Sequence, residues 1–207
     1  MRLILLNTLM QEGAGMTGNR GFTLIEVIVV SAIIAILAGI LVPLIFNQID
    51  QTKISKAQAD CKSVSNAIML FRKDTTKWPY FMPGDCTQTY TTIQGGGTTP
   101  PLDNQAGAWG IGMNEIELGL ILNLPGIQPP IVQSCYNNKA GSYLPQASAD
   151  PWGYQYIINA ANFAGTNPIW VISAGPNGCL DTSVNSQTIN DAPNTCGSPD
   201  DIGTRIQ

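Results

Sequence analysis

Residues 21–46 read Gly-Phe-Thr-Leu-Ile-Glu-Val-Ile-Val-Val-Ser-Ala-Ile-Ile-Ala-Ile-Leu-Ala-Gly-Ile-Leu-Val-Pro-Leu-Ile-Phe, an apolar stretch interrupted by one charge, Glu26. The uncharged run from Val27 to Phe46 has the roughly 20 residues that a helix, rising about 1.5 Å per residue, needs to cross a hydrocarbon core about 30 Å thick. A carboxylate just inside the N-terminus of such a helix costs at least ~2–3 kcal/mol in lipid, so Glu26 needs a partner. The identity of that partner is the functional question.

The remainder of the chain narrows the classes open to it. Of 207 residues, the leading segment and one long helix leave about 130 for a globular part, enough for one small domain with its own core. Ten basic and 14 acidic residues give a formal charge of -4. No basic patch stands out, so nucleic acid is not an expected partner. Histidine is absent, which removes the commonest general base and every Ser/His/Asp or Cys/His arrangement. No pair of carboxylates falls in an apolar cleft either, so the chain is not read as an enzyme. The low charged fraction, 12%, and the many Gly, Pro, Asn, Thr and Ser residues after position 80 suit an extracytoplasmic domain rich in turns.

Periodicity changes along the chain. A helix is expected over residues 22–73, with 27–46 as its membrane segment and Pro43 inside, where a proline removes a backbone hydrogen bond and tends to kink the helix. Beyond Phe46, Ile49, Ile54, Ala57, Cys61, Val64, Ala67, Ile68 and Phe71 recur at three- and four-residue steps, an apolar face for a globular domain over 74–207. Asp74-Thr75-Thr76-Lys77-Trp78-Pro79 ends the helix. Residues 81–142, punctuated by Gly95-Gly96-Gly97 and by proline pairs, read as a variable loop with a short helix at 114–122. Residues 150–175 read as a sheet, with an Asp150-Pro151-Trp152-Gly153 turn and two antiparallel strands at 154–159 and 168–174. Residues 176–207 read as a polar loop. The fold class is therefore α+β: a long N-terminal helix on a small antiparallel β-sheet with a loop-rich C-terminal region.

The five cysteines show no metal-ligand spacing, and disulfides are the reading in an oxidising compartment. Cys179 and Cys196 bracket a polar segment, and Cys86 and Cys135 bracket the Gly/Pro-rich region; they are paired in that way here, although five cysteines permit other pairings. Cys61 remains on the helix as a small buried residue.

Gly21-Phe22-Thr23-Leu24-Ile25-Glu26 resembles the processing site of type IV pilins and of the pseudopilins of type II secretion systems. The resemblance implies cleavage after Gly21 by a prepilin peptidase and N-methylation of the new terminus, Phe22. Residues 1–21 are then a cleaved leader, with Met10 and Met16 as alternative starts. Because the cut precedes the apolar run, that run stays in the mature protein, unlike the apolar region of an ordinary signal peptide.

Further along, Leu144-Pro145, Asp150-Pro151-Trp152-Gly153-Tyr154-Gln155-Tyr156, Ser173-Ala174-Gly175-Pro176-Asn177-Gly178 and Asp200-Asp201-Ile202-Gly203 occur in an order similar to that of the major pseudopilin. In that family the final loop binds calcium. The resemblance carries this onto the backbone of Ala174 and onto Asn177, Asp200 and Asp201. Asn177 stands where the family has an aspartate, keeping an oxygen while dropping a charge; Asp181 or Asp191 in the cysteine-bounded insert is expected to restore it. The resemblance as a whole implies a structural subunit of a type II secretion pseudopilus. It would sit in the inner membrane as a single-pass protein with its C-terminal domain in the periplasm. It would polymerise into a periplasmic filament with copies of itself and minor pseudopilins on an inner-membrane assembly platform, with Glu26 facing the Phe22 amine of a neighbour. A surface type IV pilin, major or minor, for adhesion, motility or DNA uptake is the alternative. A membrane-anchored periplasmic enzyme or binding module rests only on the unread middle region.

Overall fold

A computed structural model describes residues 21–82, 85–101, 109, 143–146, 148–192 and 197–207. The predicted leader up to residue 20, the short helix at 114–122, Cys135 and Cys196 lie outside the described residues. Helix α1 runs from Leu24 to Thr75 and continues through Pro43. The chain divides into a unit ending at Phe46 and a unit comprising Asn47–Gln207.

In the first unit the large apolar side chains from Phe22 to Phe46 are exposed. The helix is long and apolar enough to cross a membrane by length and composition.

The second unit is built on a four-stranded sheet. Six strands occur among the described residues: β1 (Phe81–Met82), β2 (Asp85–Thr89), β3 (Ile93–Gly95), β4 (Tyr156–Ile158), β5 (Trp170–Ser173) and β6 (Ile202–Arg205). Strands β1 and β2 form a small ribbon, while β3-β4-β5-β6 make the sheet, each neighbour antiparallel. Its register pairs Ile93 with Ile158, Ile157 with Ile172, and Val171 with Thr204. Side chains alternate across the pleat. Ile93, Tyr156, Ile158 and Val171 therefore pack on Cys61, Val64, Ala67 and Ile68 of α1. Ile157, Trp170 and Ile172 form a second core on the opposite face, with Trp109, Ala174 and Leu180. Both faces are buried, which is why β4 and β5 read as continuous apolar runs instead of alternating ones.

Three expectations about this unit change. Ile49 and Ile54 are exposed, and the buried side of α1 begins at Ala57. The C-terminal segment is not all loop: residues 202–205 form β6, hydrogen-bonded along the edge of β5. Four residues with a glycine among them carry almost no strand signal of their own, and pairing with β5 supplies the conformation. The same applies to β1, β2 and β3 at the start of the expected loop 81–142. Cys61 is free and buried as expected, its thiol donating to the Ile202 carbonyl at 3.5 Å. Burial pushes that thiol up to about 12, which keeps it protonated and unreactive.

The Asp150-Pro151-Trp152-Gly153 turn locks the entrance to β4. Asp150 Oδ1 accepts from the backbone N–H groups of Trp152 at 3.0 Å and Tyr154 at 2.8 Å, while Oδ2 accepts from the Ser173 hydroxyl at 2.6 Å. Gly153 supplies the positive φ, 96°, that closes the turn. Asp150 is 4% exposed, so its charge is held by hydrogen bonds from the protein instead of water. Asp150→Ala leaves one buried and two part-buried donors without an acceptor and is expected to lower unfolding stability by about 2–4 kcal/mol. Thermal or urea unfolding of the full-length chain in detergent measures this, and a loss under ~1 kcal/mol would contradict the account.

Candidate functional site

Two places gather the residues singled out by sequence. The first is the start of α1. Thr23 precedes the first helical residue, and its hydroxyl accepts from the Glu26 backbone N–H at 3.3 Å. Glu26 Oε2 in turn accepts from the Thr23 backbone N–H at 3.2 Å and from the Thr23 hydroxyl at 3.0 Å. This is a capping box, in which two N–H groups left over at a helix start are satisfied reciprocally. The negative charge also lies at the positive end of the helix dipole. Glu26 is thus engaged within its own chain. The signal lay in the sequence as Thr-x-x-Glu ahead of an apolar run, which attention to the charge alone passes over. Gly21 and Phe22 precede the cap and are exposed, with open space around Gly21.

The second place is the C-terminal loop, where Asn177, Asp181, Asp200 and Asp201 come together beside Ala174. Asn177 N–H donates to Asp200 Oδ2 at 3.2 Å. Its side-chain amide donates to Asp181 Oδ2 at 3.0 Å and to the Ser198 carbonyl at 3.1 Å. The Asn177 Oδ1 accepts from Cys179 N–H at 2.7 Å. Asp201 Oδ2 accepts from Asp181 N–H at 2.8 Å and from the Thr182 hydroxyl at 2.7 Å. Gly175, at a φ of 66°, permits a close approach: a Cβ there would come within 2.6 Å of Asp200 Oδ1. Asp200 Oδ1 therefore faces the Ala174-Gly175 backbone, the segment expected to contribute a carbonyl.

Electrostatically this loop is unfinished. Asp200 Oδ1 and Asp201 Oδ1 are buried and have no hydrogen-bond partner among the described residues. Burial pushes the Asp201 carboxyl up to about 7; the neighbouring Asp181 and Asp200 charges add to this, and bonds from Thr182 and Asp181 offset only part. Asp200 is also raised, by burial first and by Asp181. Among the described residues no Lys or Arg is shown pairing with Asp200 or Asp201; Lys56 pairs with Asp60, on α1. Nor, among the described residues, do three or more His, Cys, Asp or Glu side chains form a ready-made metal cluster. A hard cation that takes mixed carboxylate, amide and backbone oxygens suits this donor set better than a transition metal. Of the two insert aspartates, Asp181 enters the cluster. Asp191 does not: it is exposed and accepts from Ser183 N–H at 2.8 Å within the insert. Cys179 is disulfide-bonded, while its expected partner Cys196 lies outside the described residues. Of Cys86 the backbone is described, in β2.

A Thr23→Ala variant removes the cap, and the first-turn amides of Ile25, Glu26 and Val27 are expected to exchange about fivefold faster, the equivalent of the ~1 kcal/mol typical of an N-cap. Hydrogen–deuterium exchange on the full chain in detergent reads this directly, and unchanged protection would remove the capping role.

The first of these places lies within a known motif. The family model described as the prokaryotic N-terminal methylation motif matches residues 16–42. The type II secretion system core protein G of Escherichia coli K12 is 28% identical over 164 residues, covering 79% of this chain and 86% of that protein. Core protein G of Pectobacterium carotovorum is 25% identical over 171 residues, 81% of this chain and 84% of that protein. Core protein G of Pseudomonas aeruginosa is 38% identical over a shorter stretch of 64 residues, 31% of this chain and 45% of that protein. No solved structure gives a significant match.

Proposed function

We infer, from a methylation motif that opens a membrane-length helix and a likeness to core protein G along most of the chain, that this protein belongs to the type II secretion pseudopilins within the type IV pilin-like superfamily. It is a structural subunit of the pseudopilus, polymerising through its N-terminal helix to drive protein export. The observation that carries this reading is the first unit of α1, whose large apolar side chains are exposed all round the helix from Phe22 to Phe46. Such a surface is stable in lipid or against other copies of itself, and a subunit that moves from membrane to filament needs both.

Orientation, processing and partners belong to the same proposal. Cleavage after Gly21 and methylation of Phe22 by the prepilin peptidase leave the subunit anchored in the inner membrane with residues 74–207 in the periplasm. On the assembly platform, Glu26 meets the Phe22 amine of an adjacent copy, with minor pseudopilins joining the same filament. Loss of one member of a buried ion pair typically costs about 3–5 kcal/mol. Glu26→Ala is therefore expected to abolish or strongly slow filament formation and exoprotein release, while membrane insertion and cleavage continue. Normal filaments and normal secretion from that variant would reject the pairing. Loss of surface fibres with secretion intact on deletion of the protein would reject the secretory role.

We also propose that the C-terminal loop holds Ca²⁺ through Asp200, Asp201, the Asn177 side chain and the Ala174 carbonyl. The support for this is the pair of buried oxygens on Asp200 and Asp201 that have no hydrogen-bond partner among the described residues. Bound Ca²⁺ supplies two positive charges and takes six to eight oxygen ligands. Chelation of the full-length protein in detergent is expected to lower its thermal midpoint, since a ligand held at 100 times its Kd adds about 2.7 kcal/mol of stability. An unchanged midpoint on adding chelator would remove the metal.

A further inference from the structure

We propose that Asn177-Gly178, in the C-terminal loop, is a latent self-modification site. The folded loop holds it shut, and opening of the loop converts Asn177 to aspartate or isoaspartate, a step that the loop cannot undo. This inference stands apart from the calcium reading and needs no reactant but water.

The chemistry follows from the pair itself, the only Asn-Gly in the sequence. A backbone nitrogen that follows asparagine can attack the side-chain amide carbon, and glycine, with no Cβ, leaves that approach uncrowded. The Gly178 nitrogen forms a bond to Asn177 Cγ, the Cγ–Nδ2 bond breaks, and the nitrogen's proton departs with the amide group as ammonia. Water then opens the succinimide ring at either carbonyl, leaving aspartate or isoaspartate at residue 177.

The fold both requires this pair and restrains it. Gly178 has a φ of 74° and lies against Tyr154, where a Cβ would come within 2.6 Å of the ring hydroxyl, so a larger residue does not fit. Asn177 uses both ends of its amide. Its Oδ1 accepts from the Cys179 N–H at 2.7 Å, an Asx turn, while Nδ2 donates to Asp181 Oδ2 at 3.0 Å and to the Ser198 carbonyl at 3.1 Å. The Gly178 N–H donates to the Gly175 carbonyl at 3.3 Å. Nucleophile and target are thus each held by other partners, and ring closure has to release them.

The rest of the loop is fastened to the sheet as well. Trp109 Nε1 donates to the Thr182 carbonyl at 2.7 Å, and Trp170 Nε1 to the Ser186 carbonyl at 3.0 Å. The side-chain amides of Asn159 and Asn162 donate to the Val184 carbonyl at 2.8 and 3.1 Å. Conversion therefore waits on a local opening that breaks several of these bonds together. The product cannot resume the same place. Where Nδ2 donated to Asp181 and Ser198, a carboxylate oxygen faces two acceptors, one of them a like charge. Isoaspartate also lengthens the backbone by a methylene. Opening of the loop leaves a covalent mark.

The test ages the full-length protein in detergent and mildly alkaline buffer, folded in one arm and in denaturing urea in the other. EGTA keeps calcium out of both arms, so failure here leaves the calcium reading untouched. Peptide mass spectrometry follows residue 177, and methyltransferase labelling follows isoaspartate. Conversion is expected in urea, and in the folded protein it is expected to be slower by about tenfold or more, the ratio set by the free energy of loop opening. Amide hydrogen exchange reads the second step. In folded protein that has been converted, and in Asn177→Asp as its mimic, the amides of residues 177–182 are expected to exchange about tenfold faster than in fresh protein. No conversion in urea would overturn the site. Equal rates in the two arms would overturn the hold of the loop on it. Exchange that stays unchanged in the converted protein would overturn the one-way step.

Discussion

The globular unit depends on keeping two faces of one small sheet away from water. Strands β4 and β5 carry large apolar side chains on both sides, so neither side can be left open. Fully burying each Ile or Val is worth about 1.5–3 kcal/mol relative to exposure, and a sheet of this size has little else to draw on. Helix α1 covers one face from Ala57 onward. The other face has no helix among the described residues; it is covered by Trp109 and by the segment between Cys179 and residue 192. The polar contacts of that segment are a consequence of this demand. A loop lying on an apolar face must satisfy its own carbonyls, and the indoles and Asn amides of the sheet do so.

Two groups of aspartates show how differently one residue type can be accommodated. Asp150 is buried and receives two backbone N–H groups and a hydroxyl, which use both of its oxygens. It needs nothing further and holds β4 to β5. Asp201 is buried and Asp200 half-buried beside Asp181, and each retains a buried oxygen that nothing among the described residues fills. The contrast separates a saturated carboxylate from one with an open oxygen more sharply than position in a motif does, because it counts donors against acceptors.

How much of this was legible in the sequence varied with the length of the signal. The long helix was plain, since dozens of residues repeat one pattern, and its end at Thr75 came within two residues of the expected Lys73. The strands at 156–158 and 170–173 were visible as β-branched and aromatic runs behind a proline-containing turn. Strand β6 was not, because Ile-Gly-Thr-Arg owes its conformation to the edge of β5. Ile49 and Ile54 fit the helical period and yet face outward, since periodicity identifies an apolar face without saying where its cover begins. Asn177 was visible as a departure from a pattern. Which aspartate lay beside it depended on how the insert folds back, and that is a tertiary fact.

The cap at the head of α1 alters how the energetics of polymerisation should be framed. Before assembly Glu26 already accepts from Thr23 N–H and hydroxyl, so it does not wait as an uncompensated charge. Entering a filament, in the proposed reading, is then an exchange of one set of donors for another, and the gain is the difference between them. An exchange of this kind has a modest net driving force and a barrier at the moment when the first set has been released. In that reading the threonine that caps the helix, through the donors it gives Glu26, sets the threshold for growth.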